Sequence, residues 1–306
     1  MQLDIIKKHL AQHYQLGDQL AIEPIKAGVE NSNYLVSTTT AQYVFRIYNN
    51  HHSIRGERNI AQIELELEFT NEVIMQGIPA PQVINSKQGN RILTIRVADE
   101  DRSSALFALL PGSSPKKFTS EIAMELGNAV NIIMQAGKKF ENQDVLNSEH
   151  NIINRSKKYF SPLQQDTRLK ELISVLADQE KDLVKAQLPL GLVHGDIKLE
   201  NILFEDNQLT GILDFDDFRF SYLLEDVVMT MMHNLHSTEE NLLRSGFVDL
   251  FLKELNSKEF EQSKNHLKTL LRFRFVYDCS KYLANDLYEL VSELFEDDKI
   301  QEYILN

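Results

Sequence analysis

The chain has 306 residues, enough for two lobes that each bury a hydrophobic core. Its composition, 42% hydrophobic and 25% charged, is typical of a folded globular protein and excludes wholesale disorder. A net charge of -13 excludes general affinity for nucleic acid or anionic membranes, and a single cysteine excludes an intrachain disulfide. Because no signal-peptide pattern and no run of about 20 apolar residues occurs, we expect a cytoplasmic protein without a membrane span.

The first third of the chain has the pattern of a short helix followed by an antiparallel sheet. Apolar residues recur at helical spacing over residues 3–13. Over residues 20–50, β-branched and aromatic residues alternate with polar ones in three runs separated by turns, which predicts three strands. A charged helical pattern over residues 58–76 follows, and strand-like runs return over residues 91–110. The pattern predicts one sheet interrupted by one helix.

The loop PGSSP at residues 111–115 is the clearest break in the chain, and we place a lobe boundary there. Beyond it the pattern is mostly helical, apart from a strand-rich stretch over residues 192–216, and it is helical again from Ser221. Because strands come first and helices later, the sequence predicts an α+β fold and not a doubly wound sheet. The predicted lobes are residues 1–110 and residues 111–306.

Polar residues cluster at the ends of a predicted hairpin in this strand-rich stretch. A His-Gly-Asp triplet ends at Asp196, Asn201 follows five residues later, and Asp214 and Asp216 come beyond the turn. Phosphoryl transfer from ATP requires a carboxylate to accept the proton of the attacking hydroxyl, and oxygen ligands for Mg²⁺. A surface hairpin with polar ends is the alternative, since Asn, Asp and Gly are common in turns. The combined spacing favours a catalytic site.

These residues resemble the catalytic loop and metal-binding segment of the aminoglycoside phosphotransferase and choline kinase superfamily, which has a bilobal protein-kinase-like fold. The resemblance implies that Asp196 is the catalytic base and that Asn201 and Asp214 are Mg²⁺ ligands. Asp216 matches a further acidic position that reaches the metal or the substrate, and His194 would hold the loop. ATP and Mg²⁺ are therefore the implied cofactors.

The resemblance also places ATP binding in the first lobe, residues 1–110. The loop between the first two strands would cover the phosphates, although it carries one glycine where protein kinases carry three. Backbone N–H groups and short polar side chains could cradle the phosphates instead. The residues concerned are Gly28, Asn31, Ser32 and Asn33.

The third strand would supply a phosphate cation, Arg46, together with Val44 above the adenine. A helix glutamate normally orients this cation, and the spacing to the GIPAP stretch favours Glu68 over its neighbours. The remaining residues of the nucleotide site that the resemblance implies are Ala108, Leu110, Leu203 and Leu213.

The acceptor follows less directly from the sequence. Lys198, two residues after Asp196, matches a lysine that screens the γ-phosphate in protein kinases, so it is a second candidate catalytic residue and argues for a protein substrate. Against it, too few residues separate Asp214 from the helical pattern at Ser221 to seat a peptide. We therefore predict a small-molecule kinase whose acceptor is an amino alcohol, a hydroxy-amino acid or an aminoglycoside-like compound. A protein Ser/Thr kinase and an ATP-binding pseudoenzyme or scaffold are the alternatives.

Two further groups of residues bear on the acceptor. GVENSNYLV and LPLGLVHGD are similar to segments of bacterial homoserine kinases in this superfamily. An acid-rich cluster predicts a cationic acceptor, and its members are Asp214, Asp216, Asp217 and Glu225. Asp226 matches a position that hydrogen-bonds the catalytic-loop backbone. The residues predicted to line an acceptor pocket are Tyr277, Asp278 and Asp286.

Overall fold

The computed structural model describes residues 2–17, 19–26, 31–49, 58–116, 119–140, 152–163, 165–235, 246–285, 287–297 and 300–305. The chain divides into two compact units, Met1–Pro111 and Gly112–Asn306. Within the described residues, no helix has the length and apolarity that crossing a bilayer requires.

The N-terminal unit contains an antiparallel sheet in the order β1-β2-β3-β6-β4, with β5 paired to β6. Its strands are β1 Ala21–Ile25, β2 Ser32–Ser37, β3 Gln42–Ile47, β4 Val83–Ile84, β5 Leu93–Val97 and β6 Glu100–Ala108. On β3, Phe45 and Ile47 are buried in one core, whereas Val44 and Arg46 lie on the opposite face. The predicted alternation along this strand is therefore confirmed, and it fixes the face on which Arg46 lies.

Two helices cover this sheet, α1 (Gln2–His13) and α2 (Ile60–Met75). Helix α1 contributes to the same core as Phe45, and α2 contributes to a second core with Ala105 and Phe107 of β6. Asn59 caps the N-terminus of α2 in a capping box, in which the side chains of Asn59 and Gln62 each accept a hydrogen bond from the backbone N–H of the other. The two helices that the pattern predicts are thus confirmed.

The C-terminal unit is mainly helical. Its helices are α3 Ser120–Lys138, α4 Ile152–Lys157, α5 Phe160–Leu163, α6 Thr167–Ala186, α7 Glu225–Leu235, α8 Phe247–Lys253, α9 Lys258–Ser263, α10 Leu267–Ala284 and α11 Tyr288–Glu296. Its strands form two antiparallel pairs, β7 Leu190–Val193 with β10 Arg219–Tyr222, and β8 Ile202–Glu205 with β9 Gln208–Ile212. The predicted α+β class is confirmed.

The prediction of a helix from Ser221 is wrong. Ser221 belongs to β10, which pairs with β7 so that Arg219 lies opposite Val193, and α7 begins only at Glu225. The pattern there is ambiguous because a four-residue strand shows too few alternations to be distinguished from a helical turn. Pairing β10 with β7 brings the chain after Asp214 alongside the strand that leads into the catalytic loop, and thereby positions the site.

Candidate active site

His194 holds the loop that follows β7. Its Nδ1 accepts a hydrogen bond from the backbone N–H of Asp196 at 3.2 Å, so the neutral ring carries its proton on Nε2 and donates it to the carbonyl oxygen of Leu213 at 3.0 Å. Burial lowers the pKa of His194 to about 4, although the charge of Asp196 acts in the opposite direction. The ring is therefore neutral near pH 7 and ties the start of the loop to the end of the hairpin.

Asp226, in the first turn of α7, holds the same loop from the other side. Its two carboxylate oxygens accept hydrogen bonds from the backbone N–H groups of His194 (2.9 Å) and Gly195 (2.7 Å), which confirms the predicted contact. Burial raises the pKa of Asp226 to about 6 even though these bonds favour its charged form. Gly195 has φ +80°, and a side chain there would clash with the guanidinium of Arg219. Only glycine fits this position.

The carboxylate of Asp196 is oriented by two side chains that follow it in the loop. Asn201 Nδ2 donates to Asp196 Oδ2 at 2.9 Å and to its carbonyl oxygen at 2.9 Å, and Lys198 Nζ lies 2.7 Å from the same Oδ2. Burial lowers the pKa of Lys198, but the hydrogen bond and charge of Asp196 outweigh it and raise the pKa. Lys198 is therefore charged, and the carboxylate is held in one orientation.

The predicted metal ligands lie in the same unit, and a backbone hydrogen bond connects the two segments that carry them. The backbone N–H of Leu213 donates to the carbonyl oxygen of Asn201 at 2.7 Å, so Asp214 directly follows a contact with Asn201. Asp214 has φ 65° and ψ 63°, a left-handed conformation uncommon outside glycine, and it precedes the 3₁₀ turn that contains Asp216. Such backbone strain is concentrated at functional sites.

The donor set fits a hard divalent cation. The amide nitrogen of Asn201 is used on Asp196, and no residue in the described part of the chain donates to its Oδ1, which leaves that oxygen for a metal. Among the described residues, no group of three or more His, Cys, Asp or Glu side chains could hold an ion alone. Mg²⁺ is commonly held by one or two carboxylates, with water and substrate phosphate completing its shell. Asp214, Asp216 and the Asn201 amide are consistent with that arrangement.

In the N-terminal unit, Arg46 is held by Glu66 and not by the predicted Glu68. Arg46 Nη1 lies 3.7 Å from Glu66 Oε1, and Arg46 Nε donates to Asn33 Oδ1 at 3.1 Å. The prediction of Glu68 is wrong because residues two apart on a helix point about 200° apart, so that Glu66 faces the sheet and Glu68 faces solvent. Glu68 is 3.5 Å from Arg91 instead. Glu66 is buried and also pairs with Arg58.

The predicted phosphate-loop residues connect β2 to the end of β3. Asn31 Oδ1 accepts from the backbone N–H of Asn49 at 3.2 Å, and Ser32 Oγ accepts from Asn49 Nδ2 at 3.2 Å. Asn33 contacts Arg46, as described above. Gly28 lies outside the described residues. Three short polar side chains thus brace the strand that carries Arg46.

The other predicted nucleotide residues lie in strands or directly after them. Val44 lies opposite Phe107 in the β3–β6 pairing, and Ala108 lies opposite Tyr43. Leu110 follows β6 in the N-terminal unit. In the C-terminal unit, Leu203 lies opposite Gly211 in the β8–β9 pairing, and Leu213 bonds Asn201.

A buried ion pair behind the catalytic loop was missed by the sequence. Arg219 Nε donates to Glu225 Oε1 at 3.0 Å, Ser221 donates to the same carboxylate, and Arg219 Nη1 donates to the carbonyl oxygen of Asp217 at 2.8 Å. Glu225 is fully buried, so its predicted place in an acidic cluster that attracts the acceptor is wrong. The sequence feature that could have indicated this ion pair is the two polar residues at 219 and 221, which share one face of a short strand.

The residues predicted to line an acceptor pocket lie on or beyond α10. Asp278 accepts a hydrogen bond from Arg274 Nε at 2.8 Å, and the hydroxyl of Tyr277 accepts one from Arg155 Nη2 at 3.0 Å. Asp286 lies outside the described residues. Tyr277 and Asp278 are therefore both engaged with arginines of the same unit.

A family profile described as "Phosphotransferase enzyme family" matches residues 21–259. The chain is 28% identical over 213 residues to a homoserine kinase of Azorhizobium caulinodans, a match that covers 66% of the chain and 60% of the relative. The chain thus spans about 60% of the length of that relative.

Two solved structures share the fold. One is an amicoumacin kinase, hAmiN, in complex with AMP-PNP, Ca²⁺ and Ami, with a TM-score of 0.70 and 17% identity, covering 97% of this chain and 93% of that one. The other is a microcompartment-associated aminopropanol kinase, with a TM-score of 0.63 and 18% identity, covering 90% of this chain and 87% of that one. These similarities confirm the predicted protein-kinase-like fold.

Proposed function

Because the chain belongs to the phosphotransferase enzyme family, we propose that it transfers the γ-phosphate of ATP to a hydroxyl group of a small molecule. The observation that carries this proposal is the loop around Asp196. Asn201 and Lys198 fix its carboxylate, and His194 and Asp226 fix the backbone that bears it. A carboxylate held in this way is suited to accept a proton in a positioned reaction.

The reaction follows from these roles. The acceptor oxygen would form a bond to the γ-phosphorus, its proton would pass to Asp196, and the bond between the γ-phosphorus and the bridging oxygen would break to release ADP. Lys198 is placed to balance the negative charge beside the carboxylate. Asn201, Asp214 and Asp216 would hold a divalent cation such as Mg²⁺, which neutralises phosphate charge when it is bound.

The N-terminal unit would bind the nucleotide phosphates through Arg46. Its guanidinium is oriented by Glu66 and Asn33 on the face of β3 opposite the Phe45 core. An arginine held in this way presents a fixed fork of donors to phosphate oxygens. The AMP-PNP bound to the related amicoumacin kinase supports ATP as the phosphoryl donor.

A small acceptor is favoured over a peptide. The chain passes from the 3₁₀ turn Phe215–Asp217 directly into β10 and then into α7, which leaves no extended segment on which a peptide could lie. The similar proteins are named as kinases of homoserine, aminopropanol and amicoumacin, and none of them is named as a protein kinase. A protein kinase activity, for which only Lys198 argues, is an outcome of the test below.

The proposal is tested by measuring ADP release with MgATP over a panel of amino alcohols, hydroxy-amino acids and aminoglycosides. We expect release that depends on one acceptor class and that EDTA abolishes. A parallel reaction with γ-labelled ATP and a protein extract is expected to give no labelled protein band. ATP binding without acceptor-dependent release in any class would contradict the proposal.

Glu66 and Glu68 offer a matched test of the nucleotide site. Replacing Glu66 by Gln removes the charge that orients Arg46, and it is expected to raise the KM for ATP by about tenfold, the equivalent of one charged hydrogen bond. The same change at Glu68, which contacts only Arg91 at the surface among the described residues, is expected to alter KM by less than about twofold. Equal effects of the two substitutions would rule out Glu66 as the orienting residue.

A further inference from the structure

A phenol in the C-terminal unit is surrounded by cationic side chains. Arg155 Nη2 donates to the Tyr277 hydroxyl at 3.0 Å, and its guanidinium lies 4.8 Å from the ring centroid. Lys281 Nζ is 4.7 Å and the Arg274 guanidinium is 5.3 Å from the same centroid. Three positive charges therefore converge on one residue of a chain whose net charge is -13.

Among the described residues, only one of these three cations has a carboxylate at ion-pair distance. Arg274 pairs with Asp278 at 2.8 Å. Within the described part of the chain, neither Arg155 nor Lys281 has a carboxylate at ion-pair distance. Burial raises the pKa of Tyr277, but Arg155 and Lys281 outweigh it and lower the pKa. Of the carboxylates that the structure describes, only that of Glu225, beyond ion-pair distance, acts on Arg155 through its charge, so two cations without a direct carboxylate partner and a hydroxyl form a site suited to an anion.

The cluster is accessible and is connected to the catalytic loop. Lys281 is exposed, Arg155 is partly exposed, and Tyr159, 38% exposed, packs edge-on against Tyr277 with ring centroids 5.7 Å apart. Arg219 acts electrostatically on Arg155 and lies 3.4 Å through Nη1 from the carbonyl oxygen of the residue before Asp196. The cations and the proposed base thus belong to one continuous region of the same unit.

We propose that Arg155, Tyr277 and Lys281 bind a carboxylate of the acceptor, which makes the acceptor a hydroxy-amino acid and not an amino alcohol or an aminoglycoside. Arg155 has donors beyond the one it gives to Tyr277, enough for a bidentate bond to a carboxylate, and Lys281 adds a mobile point charge. The acidic residue Asp217 would suit the ammonium group of the same molecule. This inference rests on the proposed function and narrows it.

Matched acceptors that differ only in the carboxylate test the inference. Homoserine and 3-amino-1-propanol form one pair, and serine and ethanolamine form another. For the wild-type protein we expect kcat/KM to be higher for the carboxylated member of whichever pair is turned over. Arg155→Gln and Lys281→Met are each expected to raise KM for that member by roughly tenfold or more, and to change KM for its partner by less than about twofold.

A control variant and a binding measurement separate the possible failures. Arg168→Gln removes another arginine that stacks on a ring, 4.5 Å from the centroid of Phe295, and is expected to leave both KM values unchanged. Turnover of amino alcohols only, or an equal loss for both members in Arg155→Gln, would overturn the inference while the kinase proposal stands. If no acceptor is turned over, the kinase proposal fails, and calorimetry of homoserine and 3-amino-1-propanol binding tests the inference on its own. Equal affinities for the two compounds overturn the inference. A preference for homoserine that is lost in Arg155→Gln supports it.

Discussion

Replacing Asp196 by Asn is expected to lower kcat by about 10²–10⁴-fold, the usual contribution of a positioned general base. The substitution keeps the shape of the side chain and an oxygen for the hydrogen bond from Asn201, but it removes the group that accepts the proton. ATP affinity is expected to change little, because the proposed phosphate contacts of Arg46 are untouched. Steady-state kinetics and calorimetry of ATP binding measure the two quantities separately.

A matched control lies in the hairpin that follows Asp196. Asp206, in the turn between β8 and β9, is exposed and has φ 49°, a conformation that Asn also adopts readily. Asp206→Asn is expected to leave kcat within about twofold of wild type, because surface substitutions away from special features have small effects. If Asp196→Asn retains more than a tenth of the activity, Asp196 is not the base.

Replacing Glu225 by Gln is expected to destabilise the protein by about 3–5 kcal/mol. Arg219 and Glu225 are both buried, so removing one charge leaves the other without compensation in a region of low dielectric. Burial raises the pKa of Glu225, but Arg219 outweighs it and lowers the pKa. A carboxyl group whose pKa is lower in the folded than in the unfolded protein stabilises the fold at pH values above its unfolded pKa. The stability lost in Glu225→Gln is therefore expected to shrink as the pH falls below about 4.5. Urea unfolding of the wild type and the variant at several pH values measures this difference in the free energy of unfolding.

An exposed ion pair, Glu261 with Lys264, provides the control for Glu225→Gln. Glu261→Gln removes a surface contact to Lys264 at 2.6 Å and is expected to cost less than about 1 kcal/mol. The double substitution Arg219→Met with Glu225→Met removes both charges and is expected to recover much of the stability lost by Glu225→Gln. A loss for Glu225→Gln no larger than that for Glu261→Gln would show that the pair is not a buried, coupled unit.

The sequence predicted those features that form between residues close to one another along the chain. Asp196 and Asn201 precede the β8–β9 hairpin and Asp214 follows it, so their spacing in the sequence indicates that they lie near one another. The alternation at Phe45 and Ile47 likewise identified the buried face of β3. In both cases the relevant contacts are between residues near in sequence, and the period of the pattern carries the information.

The sequence was less informative where contacts join distant segments or depend on the phase of a helix. Glu66 and Glu68 differ only in the side of α2 on which they lie. The apolar residue Ile63, three residues before Glu66, is buried and indicates that Glu66 lies on the inner face. Arg155 and Tyr277 are 122 residues apart, and nothing local to either indicates that they meet.

In the proposed reaction, a hydroxyl of a small molecule receives the γ-phosphate of ATP with Asp196 as the base. Following the reaction of MgATP with the preferred acceptor by ³¹P NMR tests it most directly. We expect a new phosphomonoester resonance that grows in step with ADP for the wild-type protein and whose growth is slowed about 10²–10⁴-fold by Asp196→Asn. ADP accompanied only by inorganic phosphate, or a phosphomonoester formed equally fast by Asp196→Asn, would contradict it.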